Sequence, residues 1–141
     1  MDEKVYFAHP MNTYDTELEG ELLLELDVAF PGVEIENPNQ KKHQQGYKEW
    51  SESSGNGMRY FFEVVLPECT ACVFLTFRDG KWPAGVAKEV DWFLQRELPV
   101  FRIDLDGKLT RAEAMPHYKS ILTPDETRAR IRDAEGNTVP Y

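Results

Sequence analysis

The run ACVFLTF at residues 71–77 is almost wholly apolar and rich in β-branched and aromatic side chains. It is too short for a core helix and shows no polar alternation, so it reads as a strand buried on both faces. A strand of that kind needs cover above and below, which commits the chain to a layered α/β architecture. The flanking segments supply the layers. KVYFA at 4–8 is a second short β-branched and aromatic run, closed by the turn-like HPMNTYD. In TELEGELLLELDVAF, Thr16 and Glu19 form a capping-box pair and Leu18, Leu22 and Leu26 recur at helical spacing, which predicts a helix stopped by Pro31 and Gly32. VEIEN at 33–37 alternates as a less buried strand does, and PVFRI at 99–103 reads as a fourth strand. Between them, GVAKEVDWFLQREL carries Val86, Val90 and Phe93 as an inward stripe, and MRYFFEVVLPEC puts Met58, Phe61, Phe62, Val65 and Leu66 on one face of a short helix ended by Pro67. Strands and helices alternating at this spacing predict one parallel sheet flanked by helices, in a single domain spanning 1–141.

Two stretches fit the pattern less directly. Residues 38–57, PNQKKHQQGYKEWSESSGNG, have no core periodicity and read as a long polar connection that is functional or mobile. Near the end, TPDETRARIR has Thr123 as N-cap, Pro124 at the first helical position and Glu126 completing a capping box, so a terminal helix is expected.

Charge and cysteine usage narrow the function classes. A formal charge of -9 argues against nucleic acid or an anionic membrane as partner, since both would repel such a surface. Cys69 and Cys72 form a lone CxxC with no second pair for zinc, and Cys72 opens an apolar run, so they read as reduced packing residues. The first residues lack an apolar run long enough for a signal or span, so a soluble cytoplasmic protein is expected. His43 and His117 stand in unrelated contexts without metal-ligand spacing, and SSGNG lacks the lysine of a phosphate loop; neither a metal nor a cofactor is expected.

In parallel sheets, ligands sit beyond the carboxyl ends of the strands. That edge collects AHPMNTYD, NPNQ, FRDGKWPAG and RIDLDGK. Glu89 stands in the first turn or so of the helix that starts there, where the helix dipole favours its ionised form, and Gly85 before it allows close approach of a substrate to the backbone. An ionised carboxylate at such an edge is a suitable nucleophile toward a sugar's anomeric carbon, although acidic residues also occur in first turns for capping alone.

The opening VYFAHP, the GVAKE helix start and the following apolar helix with LPVFRI together resemble the nucleoside 2-deoxyribosyltransferase family over roughly residues 4–103. The resemblance implies a flavodoxin-like (Rossmann-like) domain that moves 2-deoxyribose between nucleobases through a covalent deoxyribosyl-glutamate. Carried onto this chain, it implies Glu89 as nucleophile, Tyr6 as the phenol that orients it, and Asp79 as the residue handling the base and its proton. Tyr141 would correspond to a terminal residue reaching into a neighbouring subunit's site, which implies a homo-oligomer. One position departs from the family: an aspartate expected just before the central strand is replaced by Thr70, with Glu68 two residues earlier as the substitute carboxylate. The partners implied are a deoxynucleoside and a free nucleobase. Because AHPMNTYDTE holds no lysine or arginine to meet a 5'-phosphate, nucleosides are expected over nucleotides. Hydrolysis, or ligand binding without turnover, are the alternative outcomes of the same framework. His9, after the first strand, is a candidate ligand contact; Tyr47 and Trp50 either stack on a base or anchor their segment; Tyr6 and Asp79 also admit plain readings, as a buried aromatic and a turn residue.

Overall fold

The computed structural model describes residues 3–141. Five strands form one sheet in the order β2-β1-β3-β4-β5: β1 (Lys4–Ala8), β2 (Glu34–Glu36), β3 (Ala71–Phe74), β4 (Val100–Ile103) and β5 (Leu109–Arg111). The first four run parallel, and β5 turns back antiparallel on β4, so the domain is a flavodoxin- or Rossmann-like α/β fold with a mostly parallel sheet. The helices are α1 (Glu17–Ala29), α2 (Lys41–Ser54), α3 (Met58–Tyr60), α4 (Ala84–Gln95) and α5 (Pro124–Ile131). After α3 the chain stays helical through a π turn, Phe61–Val65, and a 3-10 turn, Leu66–Glu68. No described helix is long and apolar enough to cross a membrane.

Period-two alternation in the strands divides the core in two. Tyr6, Ala8, Cys72, Phe74 and Val100 face α4 and the 58–68 segment, where Val65, Leu66, Val90 and Phe93 meet them. Val5, Phe7, Val73 and Ile103 face α1, packing on Leu22 and Leu26. Every residue of β3 is buried, as the unbroken apolar run requires. Cys69 and Cys72 are buried and free, and burial pushes the Cys69 thiol up to about 12 and that of Cys72 well above its ordinary value. Neither thiol is set up as a redox nucleophile.

Two features differ from the sequence reading. The polar segment 38–57 is mostly helix α2, whose inner face is built from His43 and Gly46 rather than aliphatic side chains. Gly55 closes it at φ 76°, so the glycine in SSGNG is a left-handed helix cap. The second is β5, three residues long and mostly exposed, a short antiparallel edge joined to β4 by a turn in which the Asp104 amide bonds to the Lys108 carbonyl. At α5 the capping box forms in full, with Thr123 and Glu126 bonding reciprocally.

The order 2-1-3 reverses the direction of sheet growth between β1 and β3. Loops leaving these two strands therefore diverge at their carboxyl ends, which opens the edge where ligands bind in such folds.

Candidate active site

Glu89 and Tyr6 form the centre of the site. Tyr6 stands in the middle of β1 with its ring on the α4 face, fully enclosed and offset-stacked toward Phe93. Its hydroxyl donates to Glu89 Oε2 at 2.5 Å. Glu89 is 7% exposed. Its carboxyl lies over the neighbouring pair Tyr6 and Cys72, which are partners in the β1–β3 register and whose titrations both respond to its charge.

The structure corrects one expectation for Glu89. It is the sixth residue of α4, not a first-turn residue, so it lies about 7.5 Å along the helix from its start. At that depth the helix dipole is weak and desolvation dominates. Burial pushes the Glu89 carboxyl up to about 7, with the Tyr6 hydroxyl pulling in the opposite direction. Tyr6 itself is driven well above the ordinary phenol value, first by burial and then by the Glu89 charge, so it remains a hydrogen-bond donor.

A second polar group stands across the loop that follows β1. His9 stacks on Phe7 with ring centroids 4.1 Å apart, on the α1 face. Its Nδ1 meets the Phe7 carbonyl at 2.8 Å and its Nε2 meets Glu19 Oε2 at 2.8 Å. Both partners are hydrogen-bond acceptors. Glu19 was expected to close a capping box with Thr16. Thr16 does accept from the Glu19 amide, but the Glu19 carboxylate turns away to His9, to the Asp15 amide at 3.1 Å and to Asn39 Nδ2. Burial opposes its ionisation, yet these donors together hold Glu19 below the usual carboxylate range.

Tyr14 stands near both groups. Its ring lies 4.9 Å from that of His9, and its phenol is raised by burial first and then by the charges of both Glu89 and Glu19. Sequence reasoning missed Tyr14 and gave Glu19 only a capping role. The available signal was the position of HPMNTYD at the carboxyl edge, where an aromatic with a polar tip faces the site.

The remaining candidates separate. Gly85, the second residue of α4, is partly exposed, and outside its own helix a Cβ there would meet only Met58 Cε, at 4.0 Å. The start of α4 is held by α5, whose Thr127 hydroxyl accepts the Ala84 amide at 2.9 Å. Asp79 does not join Glu89 among its hydrogen-bond partners. Arg130 of α5 grips it with two bonds of 2.9 and 2.7 Å and holds its carboxyl below the ordinary value, while the Lys81 amide also bonds to it within the turn at Gly80.

Glu68 is corrected outright. It precedes β3, and residues before a parallel strand lie at the amino edge of the sheet, opposite the site. There it is exposed and paired with Lys4 at 3.3 Å, and Thr70 bonds to the Lys4 carbonyl at the same edge. Tyr141, expected to reach a neighbouring subunit's site, packs within this chain beside its own sheet. Its hydroxyl donates to the Thr76 carbonyl at 2.5 Å, its ring stacks toward Phe77, and Arg78 lies 4.7 Å above it. Tyr47 and Trp50 anchor α2, Tyr47 against Phe61 and Trp50 beneath Arg59.

Two cavities open in different parts of the described structure. One, of about 370 Å³, lies beyond β3 and β4 and is lined by Thr76, Arg78, Arg102, Asp104 and Tyr141 among others. The other, of about 180 Å³, lies against β2. Glu89 lines neither. Among the described residues no group of three or more His, Cys, Asp or Glu is placed to hold a metal ion. Comparison with protein-family models, with curated proteins and with solved structures finds no match to this chain.

Proposed function

We propose that this protein acts on the N-glycosidic bond of deoxynucleosides, with Glu89 as nucleophile. The observation that carries the reading is the enclosed Glu89 carboxyl held by the Tyr6 hydroxyl at 2.5 Å on the α4 face of the sheet. A carboxylate with a raised affinity for protons is also a stronger nucleophile than an exposed one. In the first step a Glu89 oxygen bonds to the anomeric carbon, and the bond from that carbon to the base nitrogen breaks, its electron pair leaving with the base. In the second step a ring nitrogen of an incoming base bonds to the anomeric carbon, the bond from that carbon to Glu89 breaks with its electron pair returning to the carboxylate, and the N–H proton of the incoming base passes to solvent. The oxocarbenium-like centre between the two steps is stabilised by the nearby negative charge. Tyr6 orients the attacking carboxylate throughout.

The proton for the departing base does not come from Asp79, whose Arg130 clamp keeps it ionised at neutral pH. The base leaves with the electron pair of the broken bond and takes up its proton from solvent. Substrate approaches from the start of α4, where the absence of a side chain at Gly85 leaves room beside Met58. Water in place of the second base would make the same chemistry a hydrolysis.

The test is chromatography of the purified protein with one deoxynucleoside, with and without a different free base. A new deoxynucleoside that requires both the acceptor base and Glu89 supports transfer, and release of free base alone supports hydrolysis. Unchanged turnover in Glu89→Gln overturns the mechanism.

A further inference from the structure

The smaller cavity lies on the other side of Tyr6 from β3. Glu36 closes β2 and is the register partner of Tyr6, so the two side chains stand on the same face of the sheet, one strand apart. Glu36 is 3% exposed. Its Oε1 accepts from His43 Nε2, and His43 Nδ1 lies 2.7 Å from the Tyr60 hydroxyl. With the imidazole neutral, the carboxylate fixes its hydrogen on Nε2, which leaves Nδ1 to accept the Tyr60 O–H. This accounting ends on two unfilled acceptors. Tyr60 Oη has given its hydrogen away, and Glu36 Oε2 is buried without any hydrogen-bond partner.

A buried carboxylate oxygen left unpaired is costly, so the position demands a donor. The cavity of about 180 Å³ that Glu36, His43 and Tyr60 line also holds Val64 and Val65 as an apolar wall, Lys42, and Lys4 and Glu68, which pair with each other at 3.3 Å. The Lys42 ammonium stands 3.8 Å from Glu36 Oε1, outside hydrogen-bond reach and largely exposed. The second lysine of the lining, Lys4, is already between Glu34 and Glu68. An additional ammonium ion would be repelled by Lys42, and an anion would be repelled by Glu36. What fits is a neutral group with a donor beside an acceptor: an N–H for Glu36 Oε2 and a carbonyl for the Lys42 ammonium.

We propose that the cavity between β2 and the π turn Phe61–Val65 is a binding site for a small neutral molecule with an amide or lactam edge, read by Glu36, Tyr60 and Lys42. The site stands apart from the chemistry assigned to Glu89 and does not depend on it. Glycine at position 46 belongs to the same design, since a Cβ there would run into the Tyr60 ring and displace the phenol from His43.

The experiment follows the side-chain nitrogens of His43 by NMR in protein carrying ¹⁵N-histidine, titrated with uracil and separately with 1,3-dimethyluracil. The second probe keeps the ring and carbonyls but has no N–H. A saturable shift of the His43 resonances with uracil, absent with the dimethyl compound, is expected. Glu36→Gln should weaken it at least tenfold. Because Glu36→Gln also removes a buried charge from β2, a second variant is used: Val64→Trp, which fills the cavity from a half-exposed position and should abolish the shift in a folded protein. Glu89→Gln should leave it unchanged, which separates failure here from failure of the glycosidic chemistry. Equal responses to the two probes, no saturation, or a response that survives Val64→Trp would each overturn the assignment and leave the position filled by water or by Lys42.

Discussion

Replacing Glu89 by glutamine should make the protein more stable at alkaline pH, although it removes the proposed nucleophile. The wild-type carboxyl has an ordinary value of 4.5 when the chain is unfolded and about 7 when folded, because burial disfavours its charged form. A folded value above the unfolded one means a contribution that is fully present below pH 4.5 and lost as pH rises through 7. The rise amounts to about 3 kcal/mol between the two protonation states. Glutamine keeps the shape of the side chain and an oxygen for the Tyr6 hydroxyl but never ionises. The two proteins should therefore have similar stability near pH 4.5 and diverge to about 3 kcal/mol in favour of the variant by pH 8. Urea unfolding at a series of pH values, followed by tryptophan fluorescence, measures both curves. Groups such as Glu19 and Asp79, held low by their partners, shape each curve but cancel in the difference. A variant that is no more stable than wild type at pH 8, or a difference independent of pH, would refute the claim that Glu89 is held in a desolvating site.

Removing the Tyr6 hydroxyl as Tyr6→Phe should raise Glu89 further, because a hydrogen bond to a carboxylate is worth about 1.5–3 kcal/mol, or about 1–2 pH units. The ascending limb of the pH–rate profile should move up by that amount, with roughly 5- to 50-fold lower turnover at pH 7 that recovers toward pH 9. Asp79→Asn should lower the melting temperature only slightly, since exposed ion pairs contribute about 0–1 kcal/mol, and should leave the pH–rate profile unmoved; loss of a descending, alkaline limb would restore Asp79 as proton donor. Phe93→Ala, at a fully buried position of α4 beside Tyr6, should cost about 3–5 kcal/mol in urea unfolding. Gly46→Ala should destabilise by about 1–3 kcal/mol through the Tyr60 ring, and circular dichroism should show α2 retained.

The elements that could be read from the chain are those whose burial is aliphatic. β3, β1 and β4 carry apolar runs, α4 repeats Val86, Val90 and Phe93, and α5 bears a complete capping box, so each announces its period locally. α2 does not, because its buried positions are His43 and Gly46, a histidine satisfied by Glu36 and a glycine that makes room for Tyr60. Those roles exist only once β2 and the 58–68 segment are in place. β5 was invisible for a different reason: LTR is a three-residue edge with little burial, defined by its pairing with β4 alone. At the site, the pairing of Tyr6 with Glu89 followed from the family resemblance, whereas Glu19 offered a sound local role as a cap residue that its buried neighbour His9 outcompetes.

Sequence alone determined the parallel α/β layering, since short runs buried on both faces and helices with one apolar stripe can satisfy each other in few other ways. It also determined which loops share the carboxyl edge, because that follows from strand direction. Tertiary structure decided the state of Glu89. A helix start favours an ionised carboxylate by about 0.3–1 kcal/mol within the first turn. Burial against the sheet opposes ionisation more strongly, and it is a property of what surrounds the side chain in space: Tyr6, Cys72 and the packed face of α4, brought together from positions far apart in the chain.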